Sequence, residues 1–428
     1  MLRRLTTGWV LVMLAAPAAV AEADFIAPGP LHEAGLVKYW QLRLPLAEGQ
    51  QVRDAYLVDD QIYVATADGD VFAVHAPTGV LRWRKRVTTA GYRIVRPCHA
   101  GDRTIFVLPP AVIQYDRYTG DPILRIEPRF PIGSPAISDG ILYYVGGIDR
   151  KMHAFALDRD FELWKARAGG PIVSQPQRMG KYLYYASDNG NVYACVARNK
   201  AFYWRARTQG TITADLVVDK NGVYVAGRDN ALYLFDPDAG GLRWLARFSS
   251  PLTEPPVVTD KVVFQYSPTD GVVALNTGIV DVNQRVRWTV PEARQLLTIE
   301  DERAILLSRE ERLLVVRLDD GQRVARVPAP GFTLPLPAPR QAAVFVASAD
   351  GRLFCARSLG TPPLTVQEVR KALERPGTTG QEAESEKPKA AAKSGETGDI
   401  LRSRRPGPPI GGKSKVSKKY AEEQATKK

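Results

Sequence analysis

Residues 61–83 run Gln61-Ile62-Tyr63-Val64-Ala65-Thr66, Ala67-Asp68-Gly69, Asp70-Val71-Phe72-Ala73-Val74-His75, Ala76-Pro77-Thr78-Gly79, Val80-Leu81-Arg82-Trp83. Apolar runs of strand length rich in β-branched and aromatic residues alternate with short turn segments. Asp68-Gly69 suits a tight hairpin, because glycine adopts the positive backbone angles such a turn needs. Thr78-Gly79 marks a second turn, and the strand after it carries Trp83. The stretch therefore reads as strand, turn, strand, turn, strand.

The same unit returns along the chain. Leu142–Val145 precedes Met152–Phe155 and Trp164; Tyr182–Tyr185 precedes Val192-Tyr193 and Trp204; Val223–Ala226 precedes Leu232–Phe235 and Trp244; Val262–Phe264 precedes Asp270-Gly271 and Trp288. Trp83, Trp164, Trp204, Trp244 and Trp288 stand 81, 40, 40 and 44 residues apart, so the first interval spans two repeats. Its missing member falls at Leu124, four residues after Thr119-Gly120. Two degenerate copies follow: Arg303–Leu307 with Leu313–Val316 and Asp320-Gly321, then Ala343–Val346 with Asp350-Gly351 and Leu353–Cys355. The last copy lacks its final strand. Lys38–Leu44, carrying Trp40, reads as a final strand with no predecessors. Pairing it into the last copy would close a ring and remove an open sheet edge. A period of about 40 residues suits four-stranded blades. The expected fold is all-β: an eight-bladed β-propeller closed by an N-terminal strand, with seven blades as the alternative. Trp40, Trp83, Trp164, Trp204, Trp244 and Trp288 are assigned to packing between blades, since a buried large aromatic removes about 150–250 Å² from water.

The ends differ in kind. Arg3 and Arg4, the apolar stretch from Trp9 to Val20 and the small-residue site Ala19-Val20-Ala21 have the layout of a secretory signal peptide, residues 1–21. The apolar stretch falls short of the roughly 20 residues of a spanning helix, the feature an uncleaved anchor would need. A lead-in covers 22–37 and the propeller 38–360. Residues 361–376 predict a short helix, with a capping box at Thr365-Val366-Gln367-Glu368 and Val366, Val369 and Leu373 on one face. Residues 377–428 have too few apolar side chains for a core and are expected to be a disordered basic tail. Residues 361–428 hold 15 Lys/Arg and 9 Asp/Glu, half of the whole-chain excess of +12. Such a tail reads either as a solubilising segment with no fixed partner or as an arm for weak contact with anionic lipid or cell-wall polymer; nucleic acid is a poor fit for an exported chain.

Catalytic signatures are missing from the sequence. The cysteines Cys98, Cys195 and Cys355 are odd in number, widely spaced and set in apolar strands, so they read as buried thiols rather than a disulfide framework. The four histidines, His32, His75, His99 and His153, have no metal-ligand spacing, and no nucleophile elbow, P-loop or dinucleotide fingerprint is present. Asp68-Gly69-Asp70 could suggest calcium, but hairpin chemistry accounts for it.

Residues 73–83, Ala-Val-His-Ala-Pro-Thr-Gly-Val-Leu-Arg-Trp, resemble the tryptophan-docking motif of PQQ-type (quinoprotein-like) propeller repeats, with His75 in place of the usual acidic residue. Asp236 with Ala239-Gly240 and Trp244 is a second, partial match. The resemblance spans about residues 38–360 and implies the propeller fold. Enzymes of this family bind PQQ and calcium and carry vicinal cysteines, which this chain lacks. Its other branch keeps the ring as a scaffold, as in the outer-membrane assembly factor BamB. The chain is similar to that branch, departing from it in having no lipobox cysteine and in its long basic tail. The resemblance implies a monomeric, non-catalytic protein-interaction scaffold of the periplasm or extracytoplasmic envelope, without catalytic, cofactor or metal residues. The alternative is a quinoprotein-like enzyme or small-ligand binder using the central mouth.

Overall fold

The structure is a computed structural model and describes residues 23–374, except 90, 279, 280, 282 and 283. The expected signal peptide and the basic tail lie outside the described residues.

Eight four-stranded antiparallel sheets make up an eight-bladed propeller, which excludes the seven-blade count. Blades 1 to 7 occupy residues 52–86, 98–126, 137–167, 177–207, 217–247, 257–290 and 293–328, with strands in chain order within each. The first strands of several neighbouring blades touch one another, so they line the axis and the fourth strands form the rim. In blade 1 the second and third strands, Gln61–Thr66 and Asp70–His75, are buried along nearly their whole length. They lie between adjacent blades, which is why both faces of these strands are apolar. At the hairpin between them Gly69 has φ +89°, and a Cβ there would come within 2.2 Å of the Thr88 carbonyl oxygen, so only glycine fits.

The fourth strand of each blade carries the same irregularity. Trp83 pairs with Ala73 but Leu81 pairs with Val74, so Arg82 is skipped. The same shift recurs in blades 2 to 7. This register identifies the two positions that lack an indole: Leu124, opposite Gln114 in blade 2, and Ala325, opposite Val315 in blade 7.

Blade 8 is assembled from both ends of the chain. Strand Leu36–Arg43 pairs with Arg352–Ser358, with Trp40 opposite Cys355 and Tyr39 skipped. Ahead of it, helix Pro28–Glu33 and its lead-in bury Phe25, Ile26 and Leu31 in one cluster with Val315, Phe332 and Phe354, against which Ala325 also packs. The N-terminal segment thus fills the place where blade 7 has no indole. At the other end, helix Val366–Leu373 has its capping box between Thr365 and Glu368. It meets blade 1 through Ala372, whose carbonyl accepts from Arg82 Nε at 3.0 Å. Val366 and Leu373 are 79% and 64% exposed. The apolar face read from the sequence is therefore not the packed one: a single helix on a convex rim makes only a narrow contact.

The seam yields a direct prediction. A chain lacking residues 23–43 leaves strand Arg352–Ser358 as an open edge and strips the cover from Ala325. It is expected to aggregate or lose cooperative unfolding in size-exclusion and thermal measurements, and a synthetic peptide of residues 23–46 is expected to restore a monomeric, cooperative transition.

Candidate functional site

The most regular constellation in the molecule is the set of rim tryptophans. Each indole lies against the next blade's turn between third and fourth strands, and its N–H donates to a carbonyl there. Trp40 Nε1 donates to Ala76 O at 2.9 Å, Trp83 to Arg117 O at 3.0 Å, and Trp164 to Ala197 O at 2.9 Å. Trp204 donates to Pro237 O at 2.9 Å, Trp244 to Thr277 O at 3.4 Å and Trp288 to Leu318 O at 3.0 Å. The apolar ring packs while its one polar atom is satisfied, so a buried indole leaves no unpaired donor. At four of the six turns a glycine permits the approach, Gly79, Gly120, Gly240 and Gly321: a Cβ on Gly120 (φ +70°) would stand 2.7 Å from the Trp83 ring. Beside Trp164 the same place is held by Lys200 at φ +56°. The acidic position of the motif caps this turn. Asp116 Oδ1 accepts the N–H groups of Tyr118 and Thr119, and Asp236 Oδ1 those of Asp238 and Ala239. In blade 1, His75 Nδ1 meets Thr78 Oγ1 at 2.8 Å instead.

At blade 2 the same carbonyl is served differently. Leu157 O accepts from Gln114 Nε2 at 2.8 Å and from Arg103 Nη1 at 3.2 Å. Gln114 lies directly opposite Leu124 and is fully buried, so an amide replaces the indole donor.

Two clusters of titratable groups built around a histidine stand out among the described residues. Between blades 1 and 2, Asp59 Oδ2 lies 2.7 Å from His99 Nδ1, His99 Nε2 lies 2.7 Å from Tyr63 OH, and that hydroxyl lies 2.7 Å from Thr104 Oγ1. This relay runs from an exposed carboxylate into the core. Tyr63 and Thr104 are buried, and burial pushes the Tyr63 phenol far above its ordinary range, so the relay joins two blades and delivers no reactive atom to solvent. In blade 3, His153 is buried, stacked on Phe130 with ring centroids 3.5 Å apart, and bracketed by Glu162 at 2.6 Å and Asp149 at 3.1 Å. Both carboxyls are held low despite burial by their lysine and histidine partners.

Around the axis, contacts recur at one-repeat separation. Asp215 Oδ1 accepts the Gln175 N–H at 2.7 Å, Gln175 Nε2 donates to Ala136 O at 2.8 Å, and Arg96 Nη2 donates to Leu57 O at 2.7 Å. Burial raises the Asp215 carboxyl, opposed by the Gln175 N–H and by the Arg96 charge. Calcium requires six to eight oxygen ligands. Among the described residues no group of three or more His, Cys, Asp or Glu is placed to hold a metal, and the axial carboxylate Asp215 already accepts a backbone N–H. The described residues around the axis therefore offer no carboxylate cluster of the kind that holds calcium. The carboxylate of Asp70 in the Asp68-Gly69-Asp70 turn is also occupied, by Arg84 and Arg86 at 2.6 and 2.9 Å. All three cysteines are free and buried, and burial pushes each thiol up to about 12, so they have no thiolate character at neutral pH.

Gln114, Arg103, Arg96 and Asp215 carry no local signature in the sequence. Apart from the Arg103–Gln114 pair, their partners lie about one repeat or more away, and only the position of Leu124 marked blade 2 as unusual.

A sequence model of the family described as outer membrane protein assembly factor BamB matches residues 37–122, 149–247 and 188–362. No curated protein matches the chain. Among solved structures, the crystal structure of BamB from Moraxella catarrhalis superposes with a TM-score of 0.59 at 17% identity, covering 75% of this chain and 99% of that one. The computationally designed Ika8 protein superposes with a TM-score of 0.60 at 13% identity, covering 74% and 98%. At these identities the likeness is one of fold.

The buried histidines predict a pH dependence. Burial, then Arg82, lowers the His75 imidazole to about 4, with Asp60 opposing; His99 is lowered mainly by burial. An unfolded histidine titrates near 6.5. The unfolded chain therefore takes up protons that the folded chain resists, and stability falls as pH drops from about 6.5 towards 4. Asp70 acts in a lower window. Burial favours its neutral form, but Arg84, Arg86 and Gln50 outweigh that and hold it at about 2, so its contribution is lost only between about 4 and 2. Urea unfolding from pH 8 to pH 4.5 is expected to show declining stability, with a shallower decline in His75→Gln by up to about 1.4 kcal/mol per pH unit.

Proposed function

Because the chain belongs to the family described as outer membrane protein assembly factor BamB, we propose that it is a non-catalytic protein-interaction scaffold of the cell envelope, acting in the assembly of outer-membrane or other envelope proteins. The observation that carries this reading is the commitment of the chemically capable side chains to holding the ring. The six rim indoles donate across blade boundaries, the thiols are buried, and the Asp59–His99–Tyr63 relay ends in the core. What remains available is surface: loops and outer strands of a rigid ring, the kind of platform on which partners are held.

The N-terminal residues support export to the periplasm or another extracytoplasmic compartment, by the signal-peptide layout around Arg3, Arg4 and Ala19–Ala21. The excess of Lys and Arg among residues 361–428 supports an added, weak and salt-sensitive contact with anionic lipid or cell-wall polymer.

Two measurements test the reading together. Cells lacking the chain are expected to hold less β-barrel protein in their outer membrane, and the full chain is expected to restore the level. The purified chain is expected to gain no chromophore and no shift in melting temperature with PQQ and calcium. Unchanged barrel levels, or a saturable melting shift with a bound chromophore, would overturn the scaffold reading.

A further inference from the structure

The fourth strands form the outer belt of the ring, and their charge is one-sided. Together they hold sixteen Lys and Arg and one acid, Glu162. Basic side chains on an edge strand guard it against pairing with another chain, and ten of the sixteen lie against a carboxylate. Four of the others stand together. Arg167, Arg205, Arg207 and Arg247, on the fourth strands of blades 3, 4 and 5, are exposed, and among the described residues none of them has a carboxylate at ion-pair distance. Arg167, Arg207 and Arg247 share one register position, opposite Lys151, Asn191 and Ala231. They make an arc across three blades with no acid opposite. Blade 4 is its centre: from Asn189 to Ala214 the chain has four basic residues and no acidic one. In that stretch Phe202 is 70% exposed, more than any other large apolar side chain on a strand. Tyr203 beside it stacks on Tyr182 with ring centroids 4.2 Å apart, and Lys181 Nζ lies 5.1 Å from the Tyr182 ring. Leu163 and Leu242 are exposed on the flanking strands. Exposed carboxylates of those flanking blades, Asp158, Asp160 and Asp238, lie in the turns before the fourth strands, at the end away from the arginine arc. Edge protection does not explain this surface, because it leaves an aromatic side chain bare on the edge that charge should guard.

We propose that the outer face of blade 4, flanked by Arg167 and Arg247, docks on an anionic phospholipid surface. The pairing of side chains on this face selects the occupant. A guanidinium matches phosphate through two parallel hydrogen bonds, and these four have no carboxylate to give up before they engage one. Phenylalanine and tyrosine settle at the boundary between headgroups and acyl chains, while Lys and Arg beside them keep their charged heads at the level of the phosphates. An arc spread over three blades suits many equivalent weak anions in a plane, and each basic residue near such a surface adds its own increment of attraction. An acidic protein segment is the competing occupant. The proposal goes beyond the scaffold reading and uses neither the basic tail nor a role in barrel assembly, so vesicle binding and barrel levels can fail separately.

The test is flotation of the full chain with vesicles of phosphatidylcholine, alone or mixed with an equal part of phosphatidylglycerol. Binding is expected on the mixed vesicles and is expected to fall as salt rises. Arg167→Gln combined with Arg207→Gln and Arg247→Gln, at exposed positions, is expected to keep its melting temperature and to bind at least about tenfold more weakly. The tail is basic too, so Lys413→Gln with Lys415→Gln and Lys418→Gln is measured beside it and is expected to cost less than the three ring substitutions. A nitrobenzoxadiazole label on Phe202→Cys reads insertion directly, because the three native thiols are buried. Its emission is expected to brighten on the mixed vesicles and not on phosphatidylcholine. The proposal is overturned by an absence of binding to the mixed vesicles, by binding indifferent to the three ring substitutions, or by a label that stays dark. Brightening by poly-glutamate equal to that by the vesicles would overturn it in favour of an acidic protein partner.

Discussion

The ring depends on one repeated interaction, a tryptophan at the rim of a blade donating its indole N–H to a turn carbonyl of the next. Most of the remaining contact between blades is apolar, which is strong but does not prescribe alignment, and the other polar contacts differ from one interface to the next. The indole adds direction, because a buried N–H must find its acceptor or lose the free energy of hydration it gave up. It also adds shape: at four of the six interfaces a turn glycine lies so close to the ring that a Cβ there would clash with it. Each blade thereby positions its successor, and the error that could accumulate around eight blades is corrected six times.

The two blades that lack the indole are handled in different ways. At blade 7 the small Ala325 is covered by the N-terminal lead-in, whose following strand completes blade 8. The weakest packing position and the closure of the ring are therefore secured by the same stretch of chain. At blade 2 the carbonyl is satisfied by Gln114 and Arg103, and Leu124 packs into the apolar cluster that holds Leu157. An unmet hydrogen bond in the interior is costly, so the indole's polar role is taken over by an amide.

Much of the fold was legible because a propeller writes its period into the chain. The hairpin glycines, the 40-residue spacing and the orphan strand with Trp40 lead to eight blades by local pattern alone. The compensations were not legible. Gln114 reads as a polar residue in an apolar strand, and its role appears only when Leu157, 43 residues on, is brought beside it. Arg96 and Asp215 lie 119 residues apart in the segments leading into blades 2 and 5, and the fold brings the charge of one to bear on the other. The helix after the propeller was readable from its capping box, but the side it would pack was not, because Val366 and Leu373 face solvent and Ala372 makes the contact.

A ring built this way keeps its thiols and most of its phenols inside, in keeping with the scaffold role proposed above. The central claim concerns the six indole bonds, and amide-type hydrogen exchange of the ¹⁵N-labelled tryptophan side chains reads them one by one. All six indole N–H groups of the folded ring should be strongly protected, with that of Trp244, whose bond is the longest at 3.4 Å, exchanging first. Several of these groups exchanging at the rate of an exposed tryptophan while the strand amides stay protected would contradict the account.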